Sequence, residues 1–501
     1  MLNTLISRKN ERILLVGIGI AFVVGMLFWS GFSSPLYPCY FKDDSALFML
    51  IGKGMVHGKT VYADLFDHKG PILFFIEALG FLLGGRIGVW LIQCIAGIVT
   101  ILFTYGIWKL LQQSQQELKL IHLLSVLVGG YTIFFFTFWN GNFSEEYSLP
   151  FIAVSLYGFV KYAMGAEQEA KHPWTQAVVY GISVSALSLI RINNAVSICA
   201  GVLVIGIYLI YKKEFKNIFQ NIAGGLLGCA IVFVPVILYF CYKGALYEML
   251  YATFLYNFKY ASLVGHRSIL EQLPRYAILY LPVLISIILM VNKVVKDRKN
   301  TKKVALLDAM ILVMIGFNFA FLLIANMYVH YFTIYIPLYM LVLSRCLILD
   351  RKSWATKLFV VCAGGYFLLS LYSFGATFLR NHITGAEKEV HTTIYNDTQK
   401  IPVEEQDSVI GYNISASYYL HGDILPCYKY YTYQDWWSIS NPSIKEDFVT
   451  FLREDKPLWI LTNLEMEDEE VGGILSEAYE LQFSNDYIMY YRMKDAIRES
   501  R

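Results

Sequence analysis

Long apolar runs separated by short polar segments dominate the first three quarters of this chain. The apolar windows lie near 13–32, 88–108, 118–138, 147–163, 174–192, 195–211, 218–240, 274–292, 304–325, 331–348 and 355–377. A bilayer core of about 30 Å needs roughly 20 apolar residues of helix to cross it, and these windows approach or reach that length. The pattern therefore predicts a polytopic α-helical membrane protein with about eleven transmembrane helices.

The run ILFFIEALGFLL at 72–83 is also apolar, but it is short for a crossing and contains Glu77. A segment of this length is more typical of an interfacial helix than of a span. We therefore expect it to form an external juxtamembrane helix on the membrane surface.

The pattern changes after residue 378, where acidic residues, Asn and Tyr become more frequent and no spanning run remains. Short β-type runs predict strands at 407–412, 457–462 and 487–493, and helices are expected near 415–420 and 443–454. The sequence thus predicts a transmembrane module over 1–378 and a small α/β domain over 379–501. No glycine-rich phosphate loop opens this domain, so we expect no nucleotide site there.

Lysine and arginine predict the orientation. Basic residues cluster at 8–12, 109–119, 161–171, 212–216, 293–303 and 345–357. All these clusters lie on one side if 72–83 does not cross, and basic loops are typically cytoplasmic. This predicts a multi-pass cell-membrane protein with a cytoplasmic N-terminus, a first external loop over 33–87 and an extracytoplasmic C-terminal domain.

Composition agrees with a membrane location and excludes several functions. The chain is 56% hydrophobic and 16% charged, whereas soluble domains carry about 25% charged residues. Its net charge of +2 comes without a basic stripe, so nucleic acid is not an expected partner. The eight cysteines show no paired spacing, which argues against a disulfide framework and a structural zinc site.

Two pairs of adjacent acids lie in predicted external loops: Asp43 with Asp44 opens the first loop, and Glu145 with Glu146 lies in the second. Neighbouring helical residues point about 100° apart, so we expect one member of each pair to face a site. The structural alternative is a favourable negative charge at a helix N-terminus. The repetition of the pattern on one predicted face favours a functional role.

Basic groups accompany these acids in the external loops. Arginine and lysine are suited to binding phosphate, although snorkelling to lipid headgroups is an equal alternative for any single one. The phosphate-binding candidates are Lys69, Lys259, Arg267 and Arg275. Further candidates are Asp67, His68, Arg191 and His330. Arg191 lies within or at the end of a span, where an arginine has either a functional role or a structural ion pair.

These features together resemble the GT-C membrane glycosyltransferases, especially the bacterial relatives of protein O-mannosyltransferases and lipid A aminoarabinose transferases. The resemblance rests on an acid just after the first span, the element YADLFDHKGP, surface helices in the first loop, an acidic second loop and HYF near a late span. It covers roughly residues 1–350. The C-terminal domain lies outside it.

The resemblance implies roles for these residues. The first-loop acid, Asp44 or Asp43, would be the catalytic base or bind the acceptor, and Glu145 or Glu146 would assist. Lys69 would lie near the donor phosphate. The site would hold Mg²⁺ or Mn²⁺ through Asp44 and Glu145, or work without metal through Lys69 and the third-loop cations.

The implied activity is transfer of a hexosyl or pentosyl group from a polyprenyl-phosphate donor at the outer face of the membrane. The acceptor would be a lipid, glycan or protein, and membrane lipids would surround the chain. Direct displacement would invert the anomeric carbon. The alternatives are a lipid-linked glycan polymerase or ligase, a transporter or flippase, and a non-catalytic anchor. A transporter predicts internal repeats, and the sequence shows none.

Overall fold

The computed structural model describes residues 17–19, 21–22, 25, 33–37, 40, 44–112, 120–138, 141–263, 276–301, 304–324, 328–347, 354–379, 385–433, 437–438, 441–465 and 468–495. Most of the predicted first span, 13–32, lies outside these ranges. So do three candidate residues: Asp43, Arg267 and Arg275.

The chain divides into two compact units whose segments alternate along the sequence. The first unit consists of Met1–Ser30, Leu91–Ile237 and His266–Ala376, and the second of Gly31–Trp90, Leu238–Gly265 and Thr377–Arg501. The second unit thus combines the C-terminal segment with two stretches that precede residue 270. The predicted division into 1–378 and 379–501 stays a prediction.

The apolar runs form helices, as their composition predicts. In chain order they are Asp44–Val56, Pro71–Leu82, Arg86–Gln112, Leu120–Thr137, Ser144–Gly165, Trp174–Arg191, Val196–Tyr211, Phe215–Tyr242, Leu246–Leu250, Asn257–Leu263, Ala277–Thr301, Leu306–Ile324, Ile336–Cys346 and Trp354–Phe378. Two 3₁₀ turns, Ile192–Ala195 and Val329–Tyr335, and a π-helical turn, Tyr251–Tyr256, lie between them. The segment predicted at 72–83 is the short helix Pro71–Leu82.

Six helical stretches of the described chain are long and apolar enough to cross a membrane, which makes this a multi-pass membrane protein. They are Arg86–Gln112, Trp174–Tyr211, Phe215–Tyr242, Ala277–Thr301, Leu306–Leu323 and Trp354–Tyr372. The predicted number of eleven stays a prediction. One reason for the difference is that the windows 174–192 and 195–211 form one run, interrupted only by a 3₁₀ turn.

Small residues allow close packing between two helices of the first unit. A Cβ atom on Gly181 would lie 2.1 Å from the carbonyl oxygen of Gly225, and one on Gly228 would lie 2.1 Å from that of Val178. The helices Trp174–Arg191 and Phe215–Tyr242 therefore approach backbone to backbone. Packing of this kind is a main source of helix association where lipid removes the hydrophobic driving force.

A four-stranded sheet forms in the second unit. Strand β1 (Val409–Tyr412) is parallel to β2 (Trp459–Thr462), and β4 (Met489–Met493) pairs antiparallel with both β2 and β3 (Tyr479–Ser484). Helices accompany the sheet at Ala386–Thr398, Ser417–Gly422, Ser443–Glu454 and Glu469–Ala478. Strands are thus present at the three predicted places, whereas β3 was not predicted because most of its residues are exposed and its apolar pattern is weak.

The helix Asp44–Val56 packs closely on Pro71–Leu82 in the second unit. A Cβ atom on Gly52 would lie 2.7 Å from the backbone carbon of Glu77, so only glycine allows this approach. Glu77 is fully buried within this unit. The two helices are therefore in close backbone contact at Gly52 and Glu77.

Candidate functional site

A cavity of about 610 Å³ lies within the second unit. Its size falls in the range of small-molecule sites, about 300–1,000 Å³. Residues 44 and 47 of the first helix and 67 and 69 of the following loop line it, together with residues 413–416, 418, 432, 463–465 and 487 from the C-terminal part. The cavity therefore brings together segments more than 340 residues apart in the sequence.

Asp44 reaches the cavity because it begins the helix Asp44–Val56. A carboxylate is favourable at this end of a helix, since it faces the positive end of the backbone dipole. Its side chain is half-buried at the cavity wall. Asp43, the other member of the pair, lies outside the described residues.

The loop that carries Lys69 is closed by Tyr62. This tyrosine has a φ of 74°, which is rare for a bulky residue. Its N–H donates to the carbonyl oxygen of Leu65 at 2.8 Å, and its hydroxyl donates to that of Lys69 at 2.7 Å. The element YADLFDHKGP is thus a folded loop whose bonds bring Lys69 to the cavity.

Asp67 and Lys69 lie side by side on this loop. The backbone N–H of Lys69 donates to Asp67 Oδ1 at 2.7 Å, and Lys69 Nζ lies 3.3 Å from His68 Nε2. Asp67 is only 2% exposed. Burial raises the pKa of the Asp67 carboxyl; the charge of Lys69 lowers it, and that of Asp44 raises it further. Two carboxyls and an ammonium therefore share one charge environment at the cavity.

His68 and Lys259, the other described candidates of the second unit, are not among the residues that line the cavity. The ring of His68 packs 5.6 Å from those of Tyr256 and Tyr260, centroid to centroid, and its carbonyl oxygen accepts from Asn257. Lys259 is exposed, with its Nζ 5.9 Å from the ring centroid of Tyr251. A functional role for His68 and for Lys259 stays a prediction.

The C-terminal cavity residues were not predicted. Asn413 directly follows β1 and Asn463 directly follows β2, so the parallel pairing places both at the same edge of the sheet. Polar residues directly after parallel strands are a signal that could have indicated them. The sequence alone does not show that β1 and β2 pair in parallel, so it does not bring Asn413 and Asn463 together.

In the first unit, Glu145 and Arg191 form a buried ion pair. Glu145 is 1% exposed, and the guanidinium of Arg191 stacks on the ring of Tyr331 at 3.7 Å. Arg191 has an extended backbone where the helix Trp174–Arg191 gives way to a 3₁₀ turn. The structural alternative for Arg191, an ion pair, is therefore present in the structure.

Glu146 has a structural environment as well. Its Oε1 accepts from the backbone N–H of Phe143 at 3.0 Å, which caps the helix Ser144–Gly165, and its Oε2 accepts from Gln93 Nε2 at 2.6 Å. The ring of Phe143 stacks on His330 at 4.2 Å with an interplanar angle of 7°. The predicted second-loop acids and His330 thus belong to one buried, hydrogen-bonded and stacked cluster.

The described residues contain no group of three or more His, Cys, Asp and Glu side chains that could hold a metal ion. Glu145, one of the two predicted ligands, already binds Arg191. The ion pair with Arg191 makes the Glu145 carboxylate less available as a ligand of a divalent cation. Metal dependence stays a prediction.

The fold is similar to that of ArnT, a lipid A aminoarabinose transferase of the GT-C class. ArnT from Cupriavidus metallidurans bound to undecaprenyl phosphate has a TM-score of 0.60 and 12% identity, and the match covers 97% of this chain and 98% of that one. The apo structure of the same protein has a TM-score of 0.60 and 11% identity, over 96% and 98%. The resemblance to the GT-C enzymes predicted from the sequence is confirmed at the level of the fold.

The family model of the N-terminal domain of the competence-induced protein Ccs4 matches residues 14–357. The chain belongs to this family. No curated protein matches the chain.

Proposed function

We propose that this protein is a membrane glycosyltransferase that moves a sugar from a polyprenyl-phosphate donor to an acceptor. The observation that carries the proposal is the cavity in which Asp44, Asp67 and Lys69 meet. A base and a cation side by side are the two groups that this transfer needs. The ArnT-like fold supports the proposal, since one of the ArnT structures holds undecaprenyl phosphate.

In the proposed reaction, an acceptor hydroxyl attacks the anomeric carbon of the donor as Asp44 takes its proton. A bond forms between the acceptor oxygen and the anomeric carbon. The bond from that carbon to the phosphate oxygen breaks, and the electron pair leaves with the polyprenyl phosphate. Direct displacement inverts the anomeric centre.

Lys69 stabilises the charge that develops on the departing phosphate. A fixed cation at that position is worth most where water is partly excluded, as in a cavity. Asp67 is a positioning residue in this scheme, because it binds the Lys69 backbone N–H. No general acid is required, since the leaving phosphate is a weak base.

The finer points of the proposal are those of the sequence prediction. The transferred group is a hexosyl or pentosyl unit, the acceptor is a lipid, glycan or protein, and the reaction occurs on the outer face. We also propose that the chain crosses the membrane eleven times, with a cytoplasmic N-terminus and an extracytoplasmic C-terminal α/β domain. A glycan polymerase or ligase would use the same donor class, and the length of the product distinguishes the two functions.

The test uses purified full-length protein in lipid nanodiscs, radiolabelled polyprenyl-phosphate sugars, and membranes of the source cell as acceptor. Asp44→Asn is compared with Asp64→Asn, a change in the same part of the chain and outside the cavity lining. The Asp64 carboxylate accepts the N–H of Thr60 at 2.6 Å, a bond that an asparagine oxygen can keep.

We expect Asp44→Asn to lower transfer by about 100-fold or more, the usual contribution of a general base. Asp64→Asn should leave the rate unchanged. Full transfer by Asp44→Asn, or equal losses in both variants, would overturn the proposed role of Asp44.

A further inference from the structure

One wall of the cavity is built by the sheet end of the second unit. Strands β1 and β2 run parallel, and the residues that follow them, 413–416 and 463–465, line the cavity. In α/β sheets, ligands typically bind outside the carboxyl ends of parallel strands. This wall faces the same space as Asp44 and Lys69 but plays no part in the proposed displacement.

Two polar atoms on C-terminal residues that line the cavity have no hydrogen-bond partner within the described part of the chain. They are Thr432 Oγ1 and Asn463 Oδ1, and both atoms are buried. Thr432 as a residue is 0% exposed. Buried polar atoms are normally bonded, and leaving one unsatisfied costs about 1–3 kcal/mol. Both residues belong to the cavity lining, so a ligand that displaces the side chains covering these two atoms would supply the missing partners.

The backbone next to these atoms is held in an unusual conformation. Asn413 has a φ of 49° and Tyr433 a φ of 25°, and the N–H of Asn413 donates to the carbonyl oxygen of Tyr433 at 3.1 Å. Such residues persist only where the surrounding structure holds them, and they cluster at binding sites. The bond ties the loop after β1 to the segment that carries Thr432.

Charge limits the chemistry of the ligand. The described lining residues include three carboxyls, on Asp44, Asp67 and Glu465, and one ammonium, on Lys69. A further carboxylate on the ligand would meet like charges in this space, which is unfavourable. Hydroxyl groups carry no charge and both donate and accept, so they match an unsatisfied threonine hydroxyl and an asparagine oxygen.

We propose that Thr432 and Asn463 bind hydroxyl groups of the transferred sugar, and that this sugar carries no carboxylate. Naming the ligand as the transferred sugar rests on the proposed function. The C-terminal part then contributes the sugar subsite, and the first loop contributes the base and the phosphate-binding lysine.

The test compares Thr432→Val and Asn463→Leu with Thr398→Val. Thr398 is also fully buried in this unit but does not line the cavity. Two measurements are made on each full-length variant: transfer from polyprenyl-phosphate-linked glucose, mannose and glucuronic acid, and binding of the methyl glycosides of these sugars by saturation-transfer NMR. Thermal unfolding provides the folding control.

We expect Thr432→Val and Asn463→Leu each to lower kcat/KM for the preferred neutral donor about fivefold to tenfold, the effect of one neutral hydrogen bond. Both should weaken binding of the neutral methyl glycoside. Thr432→Val should unfold no earlier than wild type, because valine removes an unsatisfied buried hydroxyl. Thr398→Val should keep both transfer and binding.

The outcomes separate this inference from the proposed function. If wild type binds a neutral methyl glycoside through Thr432 and Asn463 but transfers no sugar, the subsite stands and the transferase function fails. If wild type transfers sugar and both variants match it in kcat/KM and in binding, the subsite is overturned. Equal or better use of the glucuronic acid donor, or no glycoside binding and no transfer by wild type, also overturns it.

Discussion

Two regions of this molecule carry the same sequence signal and present it in opposite ways. Asp44 begins a helix in the second unit and faces a cavity beside Lys69. Glu145 and Glu146 also begin a helix, in the first unit, but they are buried and bound to Arg191, Gln93 and the helix backbone. An acidic pair at a helix start is therefore compatible with chemistry and with structure, and its surroundings decide between them.

The difference has an energetic side. The buried Glu145–Arg191 pair is expensive to break, because removing one partner leaves a charge without compensation. Asp44 lies at the edge of a cavity that water can enter, so its loss should cost little folding energy. Substitution of Asp44 should therefore affect mainly activity, and substitution of Glu145 or Arg191 should affect mainly stability.

The largest expected effect is on catalysis. Asp44→Asn should lower kcat by about 100-fold to 10,000-fold, since it removes the proposed base. Its free energy of unfolding should change by less than about 0.5 kcal/mol, as is usual for substitutions outside a core. Transfer assays and thermal unfolding of the same preparation give both numbers. A Glu145→Gln variant that loses as much kcat without losing stability would contradict the contrast.

The next effect is on stability in the first unit. Arg191→Met should destabilise the fold by about 3–5 kcal/mol, because Glu145 then remains charged and unpaired. The double variant Glu145→Met with Arg191→Met should recover part of that loss. A double-mutant cycle by thermal unfolding measures the coupling. Additive losses would mean that the two side chains do not stabilise each other.

Lys69 provides a smaller test of the cavity. Lys69→Gln should slow transfer about tenfold to a hundredfold, since hydrogen bonds to charged groups contribute about 1.5–3 kcal/mol. Lys59→Gln is the matched control, because Lys59 precedes the same loop and does not line the cavity. The rate of polyprenyl phosphate release is measured for both. Equal rates in the two variants would remove Lys69 from the mechanism.

The smallest effect concerns pH. Burial raises the pKa of Asp67 above its ordinary value, so this carboxyl stabilises the fold most when protonated, below about pH 3.8. That contribution is lost as pH rises through the folded-state pKa. Asp67→Asn does not titrate and should therefore gain stability relative to wild type with rising pH. For each kcal/mol that Asp67→Asn gains in the free energy of unfolding at neutral pH, we expect its Tm to rise by about 2–4 °C.

Thermal unfolding of both proteins across a pH series measures this trend. A constant difference between Asp67→Asn and wild type at all pH values would show that the Asp67 carboxyl does not titrate in this way.

Part of the site followed from local sequence. Asp44 and Lys69 lie on a short stretch whose motif resembles a known family, and the structure places both at one cavity. Thr432 and Asn463 had no such signal, since single polar residues after strands are common. The sequence also did not predict which residue pairs with Glu145, because its partner Arg191 lies 46 residues away in the chain.

The sequence by itself determined the membrane class, most helices and the places of three strands, because hydrophobic periodicity is a local property of the chain. It also made Asp44 and Lys69 candidates for the base and the phosphate ligand, roles that stay predictions. Only the tertiary structure decided which acids meet a cavity and which are bound to buried partners. The reason is physical: burial and charge neighbours depend on segments distant in sequence, and these contacts set what a carboxylate can do.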